Sequence, residues 1–500
     1  MSSSSALPRP LKPINLQLGW PSPSLIPRTA LLTSSTTIFS SPVLTEQASI
    51  YGPDPGEESV REAVAKWLER KYYGSSSVKD APKITADRIL ISNGASATLA
   101  QVLLKFTDPL YTRAVWMVEP TYFLACPTFE DAGFEGRLRG VPEDEEGIDL
   151  EFLRREIEKL DGETEGKANR KKRLKNEKNY PKLYRHVIYC VPTFSNPSAK
   201  TMSLRRRREL VLLARKFDAL IVADDVYDFL RWAAHGSTTS TPFLGNPPPR
   251  LIDIDRQIDS PPSSYGNTLS NGTFSKLVAP GCRCSWVEAS PDFIEALSTV
   301  GYTRSGGAGS QMSSVIIERL LSSGELDKHM EEVLIPTYRR RATAMINAIE
   351  KELVPLGVRV EVGKGWVVED GKHDNSTQSL GDIELQGGFF TYLVFPSRYP
   401  PAEQISRIAR SKYALKFAAV HLMVVKGDEG SLKRVDERGC RLSWSWHSER
   451  TIERGVKRLG KLLKSLDQER VDGSGQGQQA YEENDDDGED SGIEAYFGSN

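Results

Sequence analysis

Two hydrophobic patterns alternate along the first half of the chain. Short, nearly continuous apolar runs, typical of parallel strands with helices on both faces, lie at 88–92, 115–118, 186–191 and 219–223. Apolar residues at helical spacing occupy the segments 57–73, 95–106 and 203–217. Strands and helices in this order predict a doubly wound α/β domain with a mostly parallel sheet.

Shifts in composition predict four parts of the chain. Residues 1–50 are rich in Ser, Pro and Thr and are expected to form an extended N-terminal arm, followed by a large domain over 51–314. A smaller α+β domain is expected over 315–468. The segment 469–500 is acidic and low in complexity, which is typical of a disordered tail.

Three polar stretches interrupt the periodic pattern, near 162–182, 234–264 and 366–381. We expect them to be surface insertions. The first contains Arg170-Lys171-Lys172-Arg173, for which a nuclear signal or an anion-binding patch is the alternative to a solvated loop.

Charge and cysteine content argue against several classes of function. The 500 residues carry 65 Lys and Arg against 67 Asp and Glu, a formal charge of −2, so no general basic excess points to nucleic acid. No apolar run reaches the roughly 18 residues of a membrane span, and the N-terminus lacks a secretory pattern. The five scattered cysteines form no zinc-type double pair, which favours reduced thiols in a cytoplasmic protein without a metal site.

The segment 271–283 combines a lysine and an arginine with small, turn-forming residues. Lys276 follows Thr273-Phe274-Ser275, and Arg283 lies seven positions later. A lysine that has lost its proton bonds covalently to an aldehyde, and the planar fork of an arginine suits a phosphate. Pyridoxal 5'-phosphate carries both groups, so the segment suggests that cofactor. An ordinary exposed loop lysine is the alternative.

Polar residues after two predicted strands extend this hypothesis. Asp224 lies at a strand end, where ligands of open α/β sheets bind, and a buried carboxylate there is suited to keeping a pyridine nitrogen protonated. Asn196 and Tyr227 are candidate partners of the ring's phenolic oxygen. Alone, Asp224-Asp225 is equally typical of a helix cap, and Asn196-Pro197 of a turn.

Three further positions supply the remaining contacts. The small residues of 92–97 form a strand-to-helix turn whose backbone N–H groups suit a phosphate. Tyr122 follows the next strand and is a candidate to cover a ring face, and Arg441 is a candidate to clamp a substrate carboxylate. The structural alternatives are an ordinary turn, a core tyrosine and a surface arginine.

The order of these motifs is more specific than any one of them. They are Gly19, Tyr51-Gly52 with Gly56, Gly94-Ala95-Ser96, Glu119-Pro120-Thr121-Tyr122, Asn196-Pro197, Asp224 with Tyr227, Thr273-Phe274-Ser275-Lys276, Arg283 and Arg441. In this order the chain resembles the class I/II aminotransferases of pyridoxal-phosphate fold type I over about residues 13–465. It looks most similar to the branch that contains 2-aminoadipate and kynurenine aminotransferases and their fungal relatives.

The resemblance implies a role for each residue. Lys276 would be the catalytic Schiff-base lysine, and the large domain would bind the cofactor through Tyr51, Ala95, Ser96, Tyr122, Asn196, Asp224, Tyr227, Thr273, Ser275, Lys276 and Arg283. The substrate would contact Gly19, Asn196 and Arg441. Tyr51 would reach the phosphate of the partner subunit, which implies a homodimer.

Two motifs depart from the family pattern. The usual Asn-Pro-Thr-Gly is Asn196-Pro197-Ser198-Ala199 here, and losing the glycine restricts the backbone. The phosphate turn, usually Gly-Ser-Gln-Gln, is Gly94-Ala95-Ser96-Ala97, with fewer side-chain donors. These changes bear on substrate choice more than on cofactor binding.

The leading hypothesis is transamination between an L-amino acid and a 2-oxo acid. Elimination at the β or γ carbon, as in a carbon–sulfur lyase, would use the same scaffold. A non-catalytic pyridoxal-phosphate-binding regulator is the third hypothesis. Regulators that resemble this fold usually carry a DNA-binding winged helix before it, and only about 15 residues precede Leu16-Gln17-Leu18-Gly19.

Overall fold

The computed structural model describes residues 11–74, 83–165, 173–233, 246–258, 263–361 and 385–472. Its strands are β1 Ile14–Asn15, β2 Ile89–Ser92, β3 Ala114–Glu119, β4 Leu138–Asp144, β5 Gly147–Ile148, β6 His186–Cys190, β7 Ala219–Asp224, β8 Arg231–Ala233, β9 Thr268–Thr273, β10 Ser285–Glu288, β11 Arg359–Glu361, β12 Leu385–Gly387, β13 Phe390–Val394, β14 Leu415–Lys416, β15 Ala418–Ala419 and β16 Gly439–Ser443.

Helices occupy both halves of the chain. They are α1 Arg28–Phe39, α2 Pro42–Ser49, α3 Glu58–Tyr73, α4 Ala95–Phe106, α5 Cys126–Phe129, α6 Leu150–Glu165, α7 Leu204–Lys216, α8 Leu251–Gln257, α9 Pro291–Ser298, α10 Gly301–Gly306, α11 Gln311–Ser322, α12 Glu325–His329, α13 Ile335–Glu352, α14 Ala402–Tyr413, α15 Ser431–Arg434 and α16 Glu449–Asp472. Within the part of the chain described above, no helix combines the length and apolarity needed to cross a membrane.

The main sheet has eight strands in the order β2-β10-β9-β7-β6-β3-β4-β5. Strands β9, β7, β6, β3 and β4 are parallel, and β10 runs antiparallel to both of its neighbours. Every residue of β6 and β7 is buried, because a parallel sheet is covered on both faces. The predicted α/β fold and the strand and helix positions read from the apolar pattern are therefore confirmed.

A four-stranded antiparallel sheet, β11-β13-β16-β15, forms in the C-terminal part of the chain, where α13 packs against α16. The N-terminal strand β1 pairs in parallel with β14. Leu16 continues this attachment, because its N–H donates to the Lys416 carbonyl (2.8 Å) and its carbonyl accepts from the Ser443 N–H (2.8 Å). The residues after Leu16 are thereby held beside β16.

The expectation of an extended arm over 1–50 was wrong for residues 28–49, which form α1 and α2. Ser41 caps α2 by accepting a hydrogen bond from the Leu44 N–H, and both helices pack against α11. The first ten residues lie outside the described range.

Part of the expected surface insertion 234–264 is also structured. Residues 251–257 form α8, whose Leu251 and Ile254 are buried. Helix α6 extends to Glu165, into the stretch 162–182, and α16 extends to Asp472, into the expected disordered tail. The stretch 366–381, the residues 170–172 and the tail beyond 472 lie outside the described residues.

Candidate active site

A cavity of about 760 Å³ opens where the strands β6, β7 and β9 end. The expected site residues that line it are Gly19, Ala95, Ser96, Tyr122, Asn196, Asp224, Tyr227, Thr273, Ser275, Lys276, Arg283 and Arg441. They come from positions spread over more than 400 residues of sequence, and the sheet topology brings them together. Tyr51 is the expected site residue that does not line this cavity; its side chain is 85% exposed.

Lys276 lies in a tight turn after β9, in which the Leu277 and Val278 N–H groups donate to the Phe274 carbonyl. The amine Nζ lies 3.3 Å from the Gly19 carbonyl and 5.6 Å from the centre of the Phe389 ring. Burial lowers the pKa of Lys276 to about 8, opposed by the charge of Asp224 and assisted by Arg441 and Arg283. A fraction of the amine is therefore unprotonated near neutral pH, as a nucleophile or base requires.

Asp224 is the last residue of β7 and presents a buried carboxylate to the cavity. Its oxygens accept hydrogen bonds from the Tyr189 hydroxyl (2.8 Å) and Asn271 Nδ2 (3.1 Å). Burial raises the pKa of Asp224 to about 6, although both hydrogen bonds and the charge of Lys276 act in the opposite direction. A positive charge placed beside this carboxylate would be stabilised.

Sequence reasoning did not identify Tyr189 and Asn271 as functional. Each is a polar residue that is itself buried, within the fully buried strand β6 or β9. That pattern is the signal available in the sequence, because a buried polar side chain requires a partner.

Arg441 extends from β16 into the cavity. Nη1 donates to Asn196 Oδ1 (2.5 Å), Nη2 donates to the Gln17 carbonyl (2.8 Å), and the guanidinium lies 4.1 Å from the centre of the Phe390 ring. Burial lowers the pKa of Arg441 to about 10, so the side chain stays charged. Its Nε is buried without a hydrogen-bond partner in the described structure, which suits a carboxylate ligand. Sequence reasoning did not single out Gln17, since its contribution is a backbone carbonyl.

The residues that are expected to bind the phosphate combine a helix N-terminus with an arginine. Ala95 begins α4, directly after Gly94 at φ +106°. Arg283 Nη2 donates to the Asn93 carbonyl (3.2 Å), and a Cβ at position 94 would lie 2.0 Å from this nitrogen. Only glycine therefore permits this approach. Arg283 itself has φ +45° at the end of a short turn.

The tyrosines differ in their surroundings. Tyr122 follows β3 and is partly buried, and the preceding Thr121 N–H donates to the Met423 carbonyl (2.8 Å). Tyr227 is buried and packs edge-on against Phe389 with ring centres 5.3 Å apart. Burial raises the pKa of both tyrosines, so both remain neutral hydrogen-bond donors.

These residues fit pyridoxal phosphate. The N-terminus of α4 and Arg283 suit a dianionic phosphate. The carboxylate of Asp224 suits a protonated ring nitrogen, and the weakly basic amine of Lys276 suits an aldehyde.

Comparison with known proteins gives the same answer. The family model for aminotransferase class I and II matches residues 42–367. An uncharacterized protein of Saccharomyces cerevisiae is 34% identical, over 91% of this chain and 97% of its own length. The aromatic-amino-acid aminotransferase 1 of Thermococcus litoralis is 27% identical, over 84% of this chain and 80% of its own.

A solved structure supports the same relationship. The kynurenine aminotransferase of Pyrococcus horikoshii is 25% identical and superimposes with a TM-score of 0.68, covering 91% of each chain. The predicted family is thus confirmed. The chain belongs to the class I and II aminotransferases and is a transaminase that depends on pyridoxal phosphate.

Proposed function

We propose that Lys276 binds the cofactor covalently and carries the proton during transamination. The observation that supports this most strongly is a single cavity that holds an amine with a pKa of about 8, a buried carboxylate and a buried arginine. When bound, pyridoxal phosphate supplies an aldehyde for the substrate amine and a ring that withdraws electrons from the substrate α carbon. Lys276 Nζ, once free of the cofactor, would take the proton from that carbon as general base and would then deliver it to the carbon that was the cofactor's aldehyde carbon.

The remaining residues bind and orient. Asp224 would hold the proton on the ring nitrogen, Tyr122 would cover the ring, and Asn196 and Tyr227 would hold the phenolic oxygen. The phosphate would be bound by Ala95, Ser96, Thr273, Ser275 and Arg283, which all line the cavity.

The substrate is held through its α-carboxylate. Arg441 is already fixed by Asn196, the Gln17 carbonyl and the Phe390 ring, and its unpartnered Nε leaves a donor for the ligand. Gly19 and Asn196 complete the contacts. A fixed guanidinium loses little entropy on binding a carboxylate, so it orients the α carbon toward Lys276.

We further propose that the enzyme is a cytoplasmic homodimer in which Tyr51 binds the phosphate of the partner subunit. Exposed apolar side chains on or beside α1 and α2 support a second copy there; Leu32 is 69%, Val43 74% and Ile50 56% exposed. Five cysteines without disulfides are compatible with a reducing compartment. Light scattering should give twice the mass of the 55.6 kDa chain, and Tyr51→Phe should weaken cofactor binding; a fully active monomer would overturn the dimer.

A screen of amino donors tests the proposed reaction. Each amino acid is added alone to the loaded enzyme, while the visible absorbance of the bound cofactor and the release of ammonia are followed. Transamination predicts one equivalent of 2-oxo acid and pyridoxamine phosphate, and no ammonia. Continuous formation of ammonia and an oxo acid would support elimination instead.

A further inference from the structure

Arg207 is a fully buried arginine in α7, outside the cavity described above. Burying a guanidinium is costly unless its donors and its charge are both satisfied. The buried carboxylates of Asp228 and Asp225, which follow Asp224 in the chain, lie close enough to compensate the charge. An arginine that is buried at such a cost in free energy often has a specific structural role.

The guanidinium of Arg207 joins the two ends of the segment 192–202. Nη2 donates to the Pro192 carbonyl (2.9 Å) and to Thr193 Oγ1 (3.0 Å), while Nε donates to the Met202 carbonyl (3.0 Å). Nη1 donates to the Pro249 carbonyl (2.9 Å), which ties the segment to the residues before α8. Asn196 lies in the middle of the segment that is clamped in this way.

The clamped segment has an unfavourable backbone conformation. Phe194 has φ +49° and Ala199 has φ +62°, in the left-handed region that costs a non-glycine residue about 1–2 kcal/mol. Such conformations persist only where the surroundings hold them. Glu143 contributes on the far side, because its Oε2 accepts from the Ser198 hydroxyl (3.1 Å).

We propose that Arg207 is a positioning residue that holds Asn196 against Arg441 and against the phenolic oxygen of the cofactor. The contact with Arg441 is a 2.5 Å hydrogen bond, whereas the contact with the cofactor rests on the role proposed for Asn196. Lysine would keep the charge of Arg207 but has no planar fork with which to bind both ends of the segment.

The test uses loaded enzyme with Arg207→Lys, Asn196→Ala, the double variant, and Arg208→Lys as a matched control at the exposed neighbouring position. The readouts are kcat/KM and the pH midpoint of the visible absorbance of the bound cofactor. Loss of a donor to the ionised phenolic oxygen raises that midpoint. We expect Asn196→Ala and Arg207→Lys to raise the pH midpoint by similar amounts. Both should also lower kcat/KM at least about tenfold, as for a lost hydrogen bond to a charged group.

The combined variants separate the explanations. The double variant should shift the midpoint no further than Asn196→Ala alone, and Arg208→Lys should match the wild type. If Asn196→Ala leaves the midpoint unchanged, the role proposed for Asn196 fails. If Asn196→Ala raises the midpoint but Arg207→Lys does not, or if the two shifts add in full, the clamp is refuted.

A milder variant covers the case in which Arg207→Lys does not fold. Thr193→Val removes the hydroxyl that accepts from Arg207 at one end of the segment and that also donates to the Asp228 carboxylate. It should raise the midpoint in the same direction by a smaller amount, and a wild-type midpoint in this variant would overturn the proposal.

Discussion

Replacing Asp224 by asparagine should stabilise the protein freed of cofactor while it disables the enzyme. Burial raises the pKa of this carboxyl from 3.8 to about 6 in the folded chain. At about 1.4 kcal/mol per pKa unit, this corresponds to about 3 kcal/mol against the folded state. Because the folded pKa is the higher one, the penalty is fully present above pH about 6 and vanishes as the pH falls below about 4.

The thermal midpoint of the apoprotein measures this effect. An unfolding entropy of about 2.1 cal/mol/K per residue gives about 1 kcal/mol/K for a chain of this size, so Asp224→Asn should raise the midpoint by about 3 °C at pH 7.5 and by nothing near pH 4. The loaded variant should lose at least about 100-fold in kcat, since a preorganised charge next to the reacting system is lost.

A buried aspartate outside the cavity is the matched control. Asp255 pairs with Arg215 Nε at 2.7 Å, so Asp255→Asn should lower the midpoint and retain activity. A decrease in stability for Asp224→Asn at pH 7.5, or a gain that does not depend on pH, would refute the reasoning.

Other substitutions give further tests. Arg441→Met should raise KM for the amino acid about 100-fold, with little change in the absorbance of the bound cofactor, because a buried charged clamp is lost. The control Arg438→Met, which alters an arginine paired with Asp436, should have the wild-type KM. An unchanged KM in Arg441→Met would contradict the role proposed for Arg441. The rate at which the apoprotein captures pyridoxal phosphate should rise with pH, with a midpoint near pH 8, because Lys276 must lose its proton. A midpoint near the ordinary pKa of lysine would refute the shifted pKa. Ala199→Gly should raise the free energy of unfolding by up to about 1 kcal/mol. The relief of backbone strain at φ +62° outweighs the entropy that glycine adds to the unfolded chain. Destabilisation would argue against that backbone conformation.

The strands and the residues at their ends could be predicted because their signal is local. The apolar run of β7 and the acidic residue that ends it lie side by side in the sequence. The topology of a parallel sheet then brings Asp224 and Asn196 to the same edge without further information.

The partners of these residues could not be predicted, because they depend on contacts between distant segments. Asp224 accepts from Tyr189 in β6 and Asn271 in β9, and neither side chain signals its direction in the sequence. The residues around α8, which include the charged Arg250 and Asp253, were expected to form a surface insertion because the stretch 234–264 is rich in Ser, Pro and Thr. Both are buried, and Arg250 lies 2.7 Å from Glu288, a partner that the local pattern does not reveal.

The most direct test of the central claim is a single-turnover measurement on Lys276→Ala. The variant and the wild type are loaded with pyridoxal phosphate, mixed with an amino acid alone, and assayed for 2-oxo acid and pyridoxamine phosphate. We expect one equivalent of each from the wild type, and cofactor bound without turnover in the variant, since the residue that moves the proton is missing. Formation of pyridoxamine phosphate by Lys276→Ala at the wild-type rate would contradict the assignment.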